Sequence, residues 1–290
     1  MNMPLPFADQ AVATQPVALG VETRLAALPM YDLPELNEAN DELWAAIGLR
    51  LRAEGVAGVP RRLSRGLPLH ALWTDPDLLL AQACAYPLMT GLTDLVKVVA
   101  TPRYRAFGCQ GPFHRSAVVV RATDRARALA DLAGRRLALN DATSGTGMNL
   151  LRALVAPLAH GRPFFSRVRV TGSHLASAEA VASDTADLAS VDCVSLAHLQ
   201  RLRPCLAARL SVLTWSAESP GLPLITSRDT DEATLAALRR ALADVARDPR
   251  LTAVRHELLL EGFSDLPKTH YVSALYWKRF AADLNYPDLR

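Results

Sequence analysis

The sequence predicts an α/β fold divided into two lobes. Short β-rich runs alternate with helix-length stretches along most of the chain, which is the pattern of layered α/β proteins. Two breaks, around Thr123 and Ser219, flank a self-contained part of that alternation, so the chain leaves one lobe and later returns to it. The expected lobes are residues 17–118 together with 217–290, and residues 119–216, after a flexible arm over residues 1–16.

Strands are expected over residues 24–29, 95–100, 116–121, 136–140, 167–171, 187–191, 210–215 and 222–227. Helix-length segments lie between most of them, which implies largely parallel pairing. A first long helix is expected over residues 34–53, where Leu36, Leu43, Ile47 and Leu51 recur on one side of the wheel. The Asp75-Pro76 pair reads as the entry to a helix that reaches Gln82 and leads into Ala85-Tyr-Pro-Leu88, with Tyr86 where helix gives way to loop. After Arg121 a short helix and the turn Leu132-Ala-Gly134 lead to the next strand, and Ser219-Pro-Gly221 breaks the pattern again before residues 222–227. Helices over residues 231–246, 251–260 and 270–284 complete the chain as packing elements.

Half of the 290 residues are hydrophobic, enough to bury a substantial core. The 32 basic and 29 acidic side chains give a net charge of +3 and are scattered, so there is no electrostatic case for a nucleic acid or an anionic membrane as partner. Apolar runs such as residues 78–85 fall far short of the roughly 20 residues a membrane helix needs, so no membrane insertion is expected. Residues 1–15 lack the charged and apolar regions of an export signal; the chain as given is expected in the cytoplasm, or in the periplasm if its true start differs. Cys84, Cys109, Cys193 and Cys205 form no Cys-x-x-Cys pair and are expected as buried free thiols, a Cys84–Cys109 bridge being the alternative in an exported protein. The seven histidines are dispersed and match no metal-binding motif, so no metal is expected.

Chemistry concentrates where strands end. Residues 137–152 run from a strand through Thr143-Ser-Gly-Thr-Gly147 into an amphipathic helix. The unpaired amides of a helix start, the hydroxyls of Thr143, Ser144 and Thr146, and the helix dipole can together surround an oxyanion, while Gly145 and Gly147 allow close approach. An ordinary N-cap at Thr143 or Ser144 explains the same residues. No lysine follows the second glycine and the glycine spacing is not that of a dinucleotide site, so no ATP, NAD or other cofactor is expected. His174, at the start of the helix after residues 167–171, can donate to an oxyanion, or be a surface or capping group. Asp192 sits at the tip of the strand over 187–191, where it can accept a proton from a ligand or cap the helix that follows. Tyr31, just past the first strand, is a weaker candidate by the same logic.

Gln82-Ala-Cys-Ala-Tyr-Pro-Leu88, Ser116-Ala-Val-Val-Val-Arg121, Asp131-Leu-Ala-Gly-Arg-Arg-Leu-Ala-Leu-Asn-Asp141, Gly172-Ser-His-Leu-Ala-Ser177, Ala186-Asp-Leu-Ala-Ser-Val-Asp192 and Pro220-Gly-Leu-Pro223 follow one another in an order that resembles the phosphate/phosphonate-type substrate-binding proteins of ABC transporters. The resemblance covers about residues 28–227. It implies a type 2 periplasmic-binding-protein fold, with two α/β lobes, a two-strand hinge and a small anionic solute held in the cleft. It also implies an ABC transporter membrane component as partner. By the same resemblance Ser144-Gly-Thr146 falls on the helix start that holds the phosphonate, Tyr86 on an aromatic from the other lobe, His174 on a ligand-facing histidine and Asp192 on an acid near the ligand's far end. The chain departs from the family at Gly145, where a denser Ser/Thr run is common, and at Asp184-Thr185, where a Gly-Glu pair is frequent.

The expected function is therefore capture of a phosphate- or phosphonate-type oxyanion for uptake or sensing, without catalysis. The competing enzyme reading takes Ser144, His174 and Asp192 as a hydrolase triad, although the Gly-x-Ser-x-Gly elbow is absent. A sensing domain of a regulator shares the fold but should carry a DNA-binding or signalling segment, and the N-terminal arm is too short for one.

Overall fold

The computed structural model describes residues 24–290; the expected arm over residues 1–16 lies outside them. In chain order the elements begin with β1 (Leu25–Ala27), α1 (Asn37–Ala53), α2 (Leu69–Trp73), β2 (Leu78–Gln82), α3 (Ala85–Thr90) and β3 (Val96–Tyr104). A tight hairpin, β4 (Cys109–Gln110) and β5 (Phe113–His114), leads to β6 (Ser116–Arg121) and β7 (Arg136–Leu139). Then come α4 (Leu150–Ala159), β8 (Arg167–Val170), α5 (His174–Ala182), β9 (Leu188–Asp192), α6 (Cys193–Leu202), α7 (Pro204–Ala207) and β10 (Leu210–Trp215). The chain closes with β11 (Ser219–Pro220), β12 (Leu224–Ser227), α8 (Glu232–Arg247), α9 (Thr252–Glu257), β13 (Leu260–Ser264) and α10 (Ser273–Asp283).

Two five-stranded sheets result, ordered β1-β2-β12-β3-β13 and β10-β6-β9-β7-β8. The fold is the expected α/β type, but the pairing is mixed rather than largely parallel. Only β1–β2, β7–β8 and β7–β9 run parallel within these two sheets. The strands that carry the chain from one sheet to the other, β3, β6, β10 and β12, instead pair antiparallel with their neighbours. The passage out runs from β3 through the β4–β5 hairpin to β6, and the return runs from β10 through β11 to β12. These passages lie side by side, because β11 pairs antiparallel with β5, Ser219 opposite His114 and Pro220 opposite Phe113.

Two helix expectations fail. Residues 78–82 form β2, buried along its whole length between β1 and β12. Asp75 turns the chain by accepting from the Asp77 and Leu78 amides, and a short, continuous apolar run suits a strand with both faces covered. The helix expected over residues 251–260 stops at Glu257; Leu259 takes a left-handed φ of 56° and the chain becomes edge strand β13.

Leu43, Trp44, Ile47 and Leu51 of α1 pack with Leu235, Leu238 and Leu242 of α8 over the first sheet. A second core joins Val118, Leu137, Leu151, Val155 and Leu188 around the other sheet. Ala281 and Tyr286 also belong to that second core, Asn149 Nδ2 donates to the Ala274 carbonyl, and the Phe164 amide bonds the Arg290 carbonyl. The C-terminal segment thus crosses from one sheet to the other a third time.

Candidate functional site

A cavity of about 720 Å³ opens between the ends of the two sheets. Tyr31, Trp73 and Cys84 line it from one side, and Ser144, His174 and Asp192 from the other.

The turn after β7 is built from its own polar groups. Ser144 caps the segment, its Oγ accepting from the Gly147 amide at 2.9 Å and from Asn140 Nδ2 at 3.1 Å. Gly145–Asn149 then forms a π-helical turn that runs on into α4. The Gly145 amide points at Cys84 Sγ, 3.2 Å away. Thr143 is exposed and both its amide and its hydroxyl bond Asp141 Oδ1, at 2.6 and 2.5 Å. Of the first amides in the turn, Gly145 and Gly147 are thus used within the protein, a narrower supply than the sequence suggests.

Ser173 caps α5 and places His174 beside this turn. His174 Nε2 lies 3.1 Å from Thr146 Oγ1 and 3.4 Å from Asn140 Nδ2. Burial pushes the His174 imidazole below its ordinary pKa, against the pull of Asp192.

Asp192 ends β9 and is 1% exposed. Its Oδ1 accepts from the Val194 and Ser195 amides at 2.9 and 3.1 Å, capping α6, and from the Tyr31 hydroxyl at 2.9 Å. Its Oδ2 faces His114 Nδ1 at 3.7 Å. Burial alone would push His114 down, but the Asp192 carboxylate and then Cys109 raise it to about 9. Burial likewise opposes the Asp192 charge, yet His114 holds that carboxyl below its usual range. Burial first, and Asp192 next, push Tyr31 well above the usual phenol value, so its hydroxyl stays a donor.

Tyr86 departs from the expected position. It belongs to the start of α3, not to a helix end, and is buried with Cys84, Leu139, Met148 and Ala274. A Cβ on Gly145 would lie 3.4 Å from the Tyr86 Cβ, so Tyr86 backs the turn while Cys84, Pro87 and Thr90 line the cavity. The proposed triad is not assembled: Ser144 Oγ is held by Asn140 and Gly147, His174 Nε2 meets Thr146, and Asp192 serves Tyr31, α6 and His114. All four cysteines are free, and the thiol that meets Cys109 is Cys193, at 3.3 Å, rather than Cys84.

Sequence reasoning passed over Asn140, His114 and His198. Asn140 ties Ser144 to His174. His198 lines the cavity with its ring 6.2 Å from that of Tyr31, and burial, then Arg201, lowers it to about 4. Its place one turn beyond Ser195 on α6 was the available signal.

Among the described residues no helix is long and apolar enough to cross a membrane. No curated protein matches the sequence. The binding protein component of an ABC phosphonate transporter from Pseudomonas aeruginosa is similar in fold, with a TM-score of 0.69 at 16% identity over 90% of this chain and 88% of that one. PhnD1 from Prochlorococcus marinus, solved in complex with methylphosphonate, gives a TM-score of 0.67 at 14% identity over 89% and 98%. A Xanthomonas citri protein solved with chloride gives 0.66 at 16% identity over 90% and 98%. The family model of the phosphonate ABC transporter periplasmic substrate-binding proteins matches residues 74–271, and the chain belongs to that family of binding proteins rather than to the enzymes.

Proposed function

We propose that the chain captures an organophosphonate, or a closely related phosphate compound, in the 720 Å³ cavity and delivers it to an ABC transporter membrane component. The observation that carries this reading is the pairing of Thr146 Oγ1 with His174 Nε2 at the start of the π-turn and α4. A hydroxyl, an imidazole and the positive end of a helix meet at one point, and each favours an oxyanion there. The anionic group sits on the hydroxyls of Ser144 and Thr146, with His174 beside Thr146, Thr143 at the open edge, and Gly145, whose amide faces Cys84, shaping the turn. Bound negative charge would draw a proton onto His174.

Asp192 and Tyr31 form the far wall. With its Oδ1 spent on protein donors, Asp192 acts in this reading mainly by fixing Tyr31 and the start of α6. Tyr86 supports the turn from behind. Cavities of a few hundred Å³ suit ligands larger than a bare tetrahedral anion, and Trp73, Leu92 and Leu222 offer apolar surface to an organic substituent. Each five-stranded sheet anchors one lobe, and closure between the lobes would bury the ligand.

A thermal-shift screen against phosphate, methylphosphonate, larger alkyl- and aminophosphonates, sulfonates and carboxylates tests this reading. A ligand at ~100 times its dissociation constant adds ~2.7 kcal/mol of stability. Stabilisation by phosphonates above the other classes is expected; stabilisation by carboxylates alone would refute it.

A further inference from the structure

We propose that Cys109 and Cys193 are a disulfide-forming pair that fastens the hairpin between the two sheets to the strand tip bearing Asp192. Several features, all outside the anion-binding turn, converge on this pair. The two sulfurs are 3.3 Å apart, against about 2.05 Å in a disulfide, so a small approach completes the bond. Cys109 stands opposite His114 in the β4–β5 ladder, which puts both side chains on one face of the hairpin. Cys193 follows Asp192 directly, and its amide bonds the Arg115 carbonyl just beyond that hairpin. The hairpin comes this close because residue 108 is glycine: a Cβ there would lie 2.8 Å from the Cys193 Cβ and 2.7 Å from the Trp215 ring, at a φ of 99°.

The pair is also polarised. Cys193 and then the His114 imidazolium lower the Cys109 thiol below its ordinary pKa, whereas Cys109 and burial push Cys193 up. Cys109 is the partly exposed member and Cys193 is 1% exposed, so an oxidant meets the thiolate first. With oxidised glutathione, the Cys109 thiolate attacks one sulfur and displaces a glutathione thiolate, leaving a mixed disulfide. The Cys193 sulfur then attacks the Cys109 sulfur, forming the Cys109–Cys193 bond, and its proton leaves with the second glutathione. Two protein thiols lose two electrons, and one glutathione disulfide becomes two thiols.

Cys109, His114 and Cys193 also place a sulfur, a ring nitrogen and a sulfur within 4.8 Å of one another, a grouping a soft metal could use. Metal binding would have to displace the proton that the nearby Asp192 carboxylate favours on His114, and the direct sulfur contact favours the disulfide.

The test treats the reduced full chain with oxidised glutathione, then maps its peptides without reduction. The expected product links Cys109 to Cys193, leaves Cys84 and Cys205 out of any intramolecular bridge, and raises Tm by roughly 10 °C in a manner reversed by dithiothreitol. Cys193→Ser should trap glutathione on Cys109. Should that variant fail to fold, Cys109→Ser, which alters the more exposed member of the pair, should form no intramolecular disulfide under the same treatment. A bridge to Cys84 or Cys205, or a stable glutathione adduct on Cys109 in the parent chain, would overturn the proposal. So would one equivalent of zinc retained by the reduced chain with the pair refractory to oxidation.

Discussion

The Tyr31 hydroxyl donates a 2.9 Å hydrogen bond to Asp192 Oδ1, joining the segment after β1 in one sheet to the tip of β9 in the other. Both residues are buried, and the bond has an ionised acceptor, so it belongs to the stronger class. Tyr31→Phe keeps the ring and removes the donor, while the Val194 and Ser195 amides still serve Asp192. A loss of ~1.5 kcal/mol in unfolding free energy by urea titration is expected. An unchanged midpoint and slope would show that the bond carries no stability.

Gly147 and Gly145 should respond differently to alanine. A Cβ on Gly147 would fall 1.7 Å from Asn140 Oδ1, so Asn140, which ties Ser144 to His174, must move. On Gly145 the nearest atom would be Cys84 Sγ at 3.2 Å, a contact that a small shift relieves. Gly147→Ala is expected to cost about 1–3 kcal/mol and to abolish phosphonate binding, whereas Gly145→Ala folds near parent stability. Equal stability of the two variants would contradict the packing around Asn140.

Two cavity histidines set the acid limb of stability. Burial lowers both His174 and His198, the latter to about 4, below the unfolded value of about 6.5. A lowered folded pKa means that the unfolded chain binds the proton more readily. The contribution is therefore fully present above about pH 6.5 and is lost as pH falls from there towards 4. Tm should drop across that interval, and less steeply in His198→Gln. Parallel pH profiles for parent and variant would remove His198 from the acid limb.

The strands at residues 116–121 and 210–215 were legible to the residue, because β-branched or alternating apolar runs stand between clear turn residues. The polar strand ends at Ser144, His174 and Asp192 were legible for the same reason, and the fold brings all three to one cavity. β2 was not, since Leu-Leu-Leu-Ala-Gln after Asp-Pro has the composition of either a helix or a fully covered strand. Tyr86 was misplaced with it, because the false helix over residues 75–82 moved the start of α3. The meeting of Cys109, His114 and Cys193 left no local trace: it depends on the return of β9 beside β6, 84 positions along the chain for the two thiols.

Calorimetric titration of methylphosphonate into the parent chain, Thr146→Ala and Ser144→Ala tests the central claim most directly. One saturable site is expected in the parent. Thr146→Ala removes the hydroxyl beside His174 and should weaken binding about tenfold or more, since a charge-assisted hydrogen bond is worth ~1.5–3 kcal/mol. Ser144→Ala also loses its cap on the Gly147 amide and should lower stability by ~1 kcal/mol as well as affinity. Unchanged methylphosphonate affinity in both variants would contradict the account, because the anion would then sit away from this turn.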